Sequence, residues 1–200
     1  MRQQHLWLIH GNLQTPAVWD DFKGLQQPNF CIHKVNLWDT AAEDFWSWAK
    51  TFTDQVHNQQ VHNQQVQNQA NAKECSHHLI GYSLGGRLAL HALYYATSHV
   101  PELWSSVTIT AADTGLSNKV AKSQQLDWDT KWANKFLTED WDTLLSEWND
   151  LAVFCGREAK HSLENGKVAR AKIAKLFVTF SKGKQAVSYT HLTLPTTPYV

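Results

Sequence analysis

The sequence is short of the features that staple a chain together or anchor it from outside its own core. It has 3 cysteines in 200 residues, Cys31, Cys75 and Cys155, odd in number and widely spaced. That pattern excludes a disulfide framework or a Cys-x-x-Cys metal clip, and the three are expected as buried, reduced thiols. No apolar run approaches the roughly 20 residues that a membrane span requires, so no membrane partner is expected. The N-terminal MRQQHLWLIHGN carries one arginine and a short apolar stretch, too little for a secretory leader, and the expected location is the cytoplasm. An excess of one charge is missing too, since 18 Lys+Arg balance 18 Asp+Glu. With no positive field to draw in a phosphate backbone, nucleic-acid binding is disfavoured. No metal and no organic cofactor is implied.

What is present suffices for one domain. A chain of 200 residues with 42% apolar composition can bury a sizeable core. Two segments stand apart. Residues 56–70, VHNQQVHNQQVQNQA, repeat every five residues, a period that matches neither helix nor strand. The Gln/Asn stretch 56–72 is expected as a surface insertion or a helix extension, with His57 and His62 solvated rather than metal-bound. The uncharged end, VSYTHLTLPTTPYV at 187–200, resembles translated vector or adapter read-through and is expected to lie outside the fold.

The rest alternates strand and helix. HLWLIH at 5–10 reads as a buried strand running into a tight loop, and FCIHKVNLW at 30–38 as a second strand. In EDFWSWAKTFTDQ, Phe45, Trp48 and Phe52 recur at helical spacing. HHLIGY at 77–82 is a third strand, and it runs directly into a helix with Leu84, Leu88 and Ala92 on one stripe. WSSVTIT at 104–110 is a fourth strand. Such alternation predicts an α/β fold, a mostly parallel sheet flanked by helices. From Leu126 to Phe154 the spacing of Trp132, Phe136, Trp141, Leu144, Leu145, Trp148 and Leu151 is helical throughout. It fits a packing stripe or the aromatic wall of a cap over a pocket. The domain boundaries expected are a core over 1–113, a helical cap over 114–175, and the start of a returning core strand over 176–186.

One motif carries chemistry. Gly81-Tyr82-Ser83-Leu84-Gly85 is G-x-S-x-G, set between a predicted strand and a predicted helix. A nucleophile elbow needs that context, because the serine must ride a strained turn that lifts its hydroxyl above the sheet. The helix opening at Leu84 would aim that residue's N–H at a developing oxyanion. After the first strand stands His10-Gly11-Asn12-Leu13, where the second oxyanion donor belongs. Asn12 or Leu13 would supply it, and the sequence does not choose between them.

These residues carry a resemblance. LIHGN with Trp19, followed by GYSLGGRLALHAL, resembles the α/β-hydrolase superfamily. Within it they resemble the 2-succinyl-6-hydroxy-2,4-cyclohexadiene-1-carboxylate synthases, pyruvate-eliminating enzymes of menaquinone and phylloquinone biosynthesis. Tyr82 beside the serine and Arg87 four residues after it are the more specific features. SEWNDLAVF at 146–154 and FSKGKQ at 180–185 are similar to that family's cap and post-cap segments. The likeness covers most of residues 6–186, except that NLWDTAAEDF stands where many relatives have D-x-x-G-H-G.

The resemblance implies an α/β-hydrolase fold with a helical cap and a lyase acting on a small, multiply anionic substrate. Ser83 would be catalytic, the N–H groups of Asn12, Leu13 and Leu84 would form the oxyanion hole, and Tyr82 and Arg87 would bind substrate. The planar guanidinium of Arg87 suits a carboxylate, although a surface cation at 87 and a packing tyrosine at 82 fit the bare sequence too. The superfamily's triad runs Ser, then Asp or Glu, then His. Asp113, Asp127, Asp129, Asp140, Asp142 and Asp150 all fall within or before the cap, as does His161, and His191 lies in the tail. The expectation is therefore a C-terminally truncated chain whose acid and base lie beyond it. A serine hydrolase of esters or C–C bonds and an inactive fragment are the alternatives. No oligomeric state is implied.

Overall fold

In the computed structural model, residues 3–22, 24, 27–66, 75–113, 115–156, 163–164 and 166–186 are described. Four parallel strands, β1 (Gln3–Ile9), β2 (Phe30–Val35), β3 (Cys75–Tyr82) and β4 (Trp104–Thr110), form one sheet in the order β2-β1-β3-β4. Among the described residues five α-helices accompany it: α1 (Phe45–Val66), α2 (Leu84–His99), α3 (Lys119–Thr138), α4 (Trp141–Asn149) and α5 (Arg170–Thr179). The central β1 is apolar on both faces, as a strand covered on two sides must be. Trp7 and Ile9 enter the main core, whereas Leu6 and Leu8 join Trp19 in a small cluster on the other face.

The main core spans the sheet and every helix. Phe45, Trp48, Ala49, Phe52 and Val56 of α1 meet Leu84, Leu88, Ala89 and Ala92 of α2. Phe136 of α3 stacks on Phe177 of α5 at 5.2 Å, and Trp148 of α4 meets Trp132 edge-on at 4.9 Å. Local chemistry sets the helix starts. Asp44 accepts from Ser47 N at 2.7 Å while Ser47 Oγ accepts from Asp44 N at 3.1 Å, so two amides at the start of α1 are satisfied reciprocally. Asn118 caps α3 through Ala121 N, and Asp140 caps α4 through Thr143 N.

Several expectations need correction. The second strand stops at Val35, because the Asn36 side chain accepts from Trp38 N and folds Leu37–Asp39 into a 3-10 turn. Of the two readings of the repeat tract, the helix extension is the one seen over its described part: α1 runs through it to Val66, and Val56 is fully buried because it continues the apolar stripe from Phe52. Residues 176–180 are not a returning strand. They finish α5, whose Ile173, Leu176, Phe177 and Phe180 are buried at helical spacing. The thiols are not all buried, since Cys31 and Cys75 are half-buried and Cys155 is exposed. Residues 67–72 of the tract, His161, His191 and the tail 187–200 lie outside the described residues. Among the described residues no helix is long and apolar enough to cross a membrane.

Candidate active site

Between β3 and α2 the chain turns on Ser83 alone. Its φ of 53° and ψ of −115° lie where a non-glycine residue is strained, at a cost of about 1–3 kcal/mol. Both sides of the turn are tied down: Ser83 N donates to Thr110 O at 2.9 Å, and Arg87 N donates to Ser83 O at 3.2 Å. The serine side chain makes no capping hydrogen bond. Two glycines let the helix sit on the sheet. A Cβ on Gly81 would lie 2.4 Å from Gly85 O, and one on Gly85 would lie 2.3 Å from Ile9 O. The first turn of α2 thus rests on bare backbone, and its leading amides, Leu84 N–H among them, face the end of the sheet where negative charge is favoured. The Leu84 side chain is buried in the core, so only its backbone is available to the site.

The loop after β1 is held by His10, which is fully buried. Its Nδ1 donates to Gly11 O at 2.8 Å and its Nε2 accepts from Leu37 N at 3.1 Å, two bonds that together require the neutral imidazole with its proton on Nδ1. Burial agrees, pushing its pKa down to about 4. Gly11 N donates to Gln14 Oε1 at 2.9 Å, and Leu13 adopts a φ of 53° while its carbonyl accepts from Leu163 N at 2.7 Å. This arrangement turns the loop toward Ser83.

Asn12, Leu13, Tyr82, Ser83 and Arg87 line one cavity of about 910 Å³. Five of the six residues singled out in the sequence therefore meet in one space, with Leu84 behind them. Arg87 is only 9% exposed; its Nη1 donates to Phe180 O at 2.8 Å and its guanidinium lies over Phe45 at 5.6 Å. Burial lowers its pKa to about 10 against the attraction of Asp129 and Asp113. The aromatic stripe of the cap divides between two tasks. Trp128 and Trp148 form cavity wall with Leu145 and Leu151, while Trp132 and Phe136 pack in the core. The segment that departs from D-x-x-G-H-G lies elsewhere, its Asn36, Trp38 and Asp39 facing a separate recess of about 300 Å³.

Sequence reasoning did not assign Asp113, Asp129, Gln125 and Lys182 to this site, yet all four line it. Burial would raise the Asp113 carboxyl, but Lys182 at 2.8 Å, the Gly115 N–H and Arg87 together hold it below the ordinary carboxylate range. Asp129 is held above that range by burial, although Ser181, Gln125, Arg87 and Lys182 pull it down. The available signal was Lys182 within FSKGKQ and Asp129 on the cavity-facing side of the same helix as Trp128. Among the described residues no histidine is hydrogen-bonded to Ser83. His10 is committed as above, and buried His91 gives its Nδ1 to Arg87 O at 2.7 Å. Nor does any group of three or more His, Cys, Asp or Glu there converge as a metal site.

No protein-family model matches the chain. It is similar to the 2-succinyl-6-hydroxy-2,4-cyclohexadiene-1-carboxylate synthase of Serratia proteamaculans, 35% identical over 83 residues that span 42% of this chain and 31% of that protein. A putative synthase of the same name from Haemophilus influenzae is 29% identical over 111 residues, 54% of this chain and 44% of that one. The chain thus matches less than half the length of these curated relatives. Among solved structures, MenH from S. aureus superposes with a TM-score of 0.70 at 18% identity, over 94% of this chain and 70% of that chain. The fold is that of the α/β-hydrolases.

Proposed function

We propose that this α/β-hydrolase fold is the oxyanion and substrate-recognition half of a carbon–oxygen lyase that eliminates pyruvate to form 2-succinyl-6-hydroxy-2,4-cyclohexadiene-1-carboxylate. The observation that supports it is a nearly buried Arg87 on the wall of the same cavity as the strained Ser83. A guanidinium withdrawn from water and short of a contacting carboxylate is a natural seat for an anionic ligand. The likeness to the synthases, 35% identity over 83 residues in one of them, supports the same reading.

In this reading Ser83 sits on a nucleophile elbow and the N–H groups of Leu84 and of Asn12 or Leu13 stabilise the enolate-like charge that develops as a carbon-bound proton leaves. The proton goes to a histidine outside the described residues, relayed through Ser83. The C–O bond to the departing three-carbon unit then breaks, its electron pair leaves on the oxygen as the enolate of pyruvate, and protonation of that enolate on carbon, with the proton held by the histidine, gives pyruvate. Arg87 anchors a substrate carboxylate, Tyr82 borders the reacting end, and Trp128 and Trp148 exclude water from the ring. Preorganised donors of this kind contribute on the order of 10²–10³ in rate each.

The test takes the chain with the full continuation of its reading frame, adds the pyruvyl-bearing precursor and follows pyruvate release. Turnover that Ser83→Ala abolishes and Arg87→Ala severely weakens is expected. Turnover of neutral esters that ignores Arg87, with no pyruvate formed, would establish a serine hydrolase instead.

A further inference from the structure

Toward the N-terminal ends of the strands, away from Ser83, lies a cluster that the proposed chemistry does not use. His5 on β1, His33 on β2 and His77 on β3 share one face of three adjacent strands, since His5 is level with His77 and Trp7 with His33. The His5 ring stacks on His33 at 5.1 Å and on His77 at 4.8 Å, and Trp7 stacks on His33 at 4.0 Å. His5 Nδ1 and His33 Nε2 share a hydrogen bond at 2.9 Å, and His77 Nδ1 accepts from Trp7 Nε1 at 3.1 Å. That second bond leaves neutral His77 with its proton on Nε2. His5 and His77 are buried and His33 is half-buried.

No opposite charge among the described residues offsets a proton here. The same face of the strands carries Cys31 and Cys75, and β4 brings only Trp104 level with His77. Helix α1, whose Phe52 meets Trp7 edge-on, brings His57 and a Lys50–Asp54 pair closed at 2.7 Å. His78 lies on the opposite face, held by Ser106 and Ser76. Arg2, Lys73 and Glu74 lie outside the described residues. Burial holds all three rings below the ordinary histidine pKa, and the neighbouring imidazoles help to bring His77 down to about 4.

Such a stack takes up protons unequally. One proton on the His5–His33 pair is tolerated, because an imidazolium still donates to its neutral neighbour. A second sets N–H against N–H there, or on His77 turns Nδ1 into a donor facing the Trp7 N–H. Either way two like charges share one stack withdrawn from water. The strand free to yield is β2, which pairs only with β1 among the described residues, whereas β1 and β3 are paired on both sides. Four residues after His33, Leu37 N donates to His10 Nε2, the bond that ties β2 to the loop bearing Asn12 and Leu13.

We propose that the His5–His33–His77 stack is an acid-released latch for the edge strand β2. With at most one proton it holds β2 on β1; a second parts them, and the His10–Leu37 contact loosens with β2. Acid thereby disarms the loop beside Ser83 before the chain unfolds. That last step rests on the oxyanion role proposed for the loop, and the release itself does not.

Hydrogen exchange resolved to single amides of the full 200-residue chain, corrected for intrinsic rates, tests this at pH 7.5 and 5.5. One histidine held from its ordinary 6.5 to well below 5.5 makes opening about tenfold more favourable at the lower pH. Protection of β2 and of the Leu37 amide is therefore expected to fall about tenfold, with α2 remaining the better protected. His33→Phe keeps an aromatic ring on Trp7 but takes no proton, and its β2 should change less than about threefold. A melt at pH 7.5 confirms that it is folded; if it is not, His77→Gln, which keeps an acceptor for Trp7, should reduce the fall instead. Unchanged β2 protection in the unaltered chain, an equal fall in the folded variant, or β2 and α2 opening together as one unit overturns the proposal. A Leu37 amide that stays protected while β2 opens overturns the link to the loop.

Discussion

Replacing Gly85 by alanine tests the packing on which the whole site depends. In an exposed helix the change would be favourable, because alanine is better than glycine by about 1 kcal/mol. Here the added methyl would lie 2.3 Å from Ile9 O and 2.7 Å from His10 O. Ordinary van der Waals contact begins near 3.4 Å, so α2 and β1 would have to separate by roughly 1 Å. Neither side yields easily: Ile9, His10, Leu84 and Leu88 are all essentially inaccessible to solvent. Overpacking of a rigid core typically costs about 1–3 kcal/mol, and more where backbone must move. Taking the upper end, about 3 kcal/mol, because backbone must move, and subtracting about 1 kcal/mol of helix propensity, Gly85→Ala should destabilise by about 2 kcal/mol. Urea unfolding followed by tryptophan fluorescence measures it. Gly11→Ala is the milder comparison, since its Cβ would meet Gln14 Oε1, Tyr82 Cδ1 and Ser83 Cβ at 3.0–3.1 Å; the first two can rotate aside and the third needs a shift of only a few tenths of an ångström, so the cost should stay below that of Gly85→Ala. A Gly85→Ala protein as stable as its parent, or a Gly11→Ala protein that loses more, would refute the claim that α2 rests on bare strand backbone.

Three other outcomes follow from the same structure. His10, His77 and His91 are buried with pKa values lowered to about 4 from 6.5. A depressed folded pKa contributes stability that is present above 6.5 and lost as pH falls toward 4, up to roughly 3 kcal/mol per group; the urea midpoint should be level from pH 8 to 7 and drop steeply below 6.5, and a flat profile down to pH 5 would count against it. Phe136, fully buried against Phe177, Trp141 and Trp148, should cost about 3–5 kcal/mol when replaced by alanine, whereas Leu137→Ala, at a half-exposed neighbour, should change stability by no more than about 0.5 kcal/mol; similar losses at both positions in thermal melts would contradict the assigned helix face. Ser83→Gly should stabilise by about 0.5–1 kcal/mol, relieving a strained φ of 53° against the added freedom of glycine in the unfolded chain, and a loss measured in the same urea assay would show that the turn is not strained.

The parallel sheet was legible because its strands are short apolar runs bounded by turn residues, and HLWLIH and WSSVTIT mark two of them clearly. The region of Ser83 was legible for a different reason: glycine at 81 and 85 is required by backbone clearances of 2.4 and 2.3 Å, and such steric demands leave a fixed spacing in sequence. The end of α5 was not legible. LFVTF is β-branched and aromatic, and by local preference it suits a strand. Burial of Phe177 and Phe180 against α3 and α1 decides for helix, a tertiary effect that no local pattern carries. The polar tract left helix extension and surface insertion open, and what its composition hid was that its first valine is core while the residues around it are those of a solvated repeat.

The charges around Ser83 show why the site could be only half read. Arg87 stood out because it lies one helical turn from the serine. Lys182 and Asp113 are 69 residues apart in the chain and 2.8 Å apart in space, a pairing that nothing in either segment announces. That pair joins the loop after β4 to the segment after α5, reinforced by Gln185 Nε2 on Asp113 O at 3.2 Å, and both of its members line the cavity. Asp113 is consequently occupied, and its charge is offset by an ammonium in contact. Asp129 has no such partner, since its nearest cation, Arg87, holds the carbonyl of Phe180 instead. Two carboxylates on one wall are thus made unequal by their neighbours: an ammonium in contact holds Asp113 below the ordinary carboxylate range, whereas burial holds Asp129 above it with only the neutral Gln125 and Ser181 as hydrogen-bond neighbours.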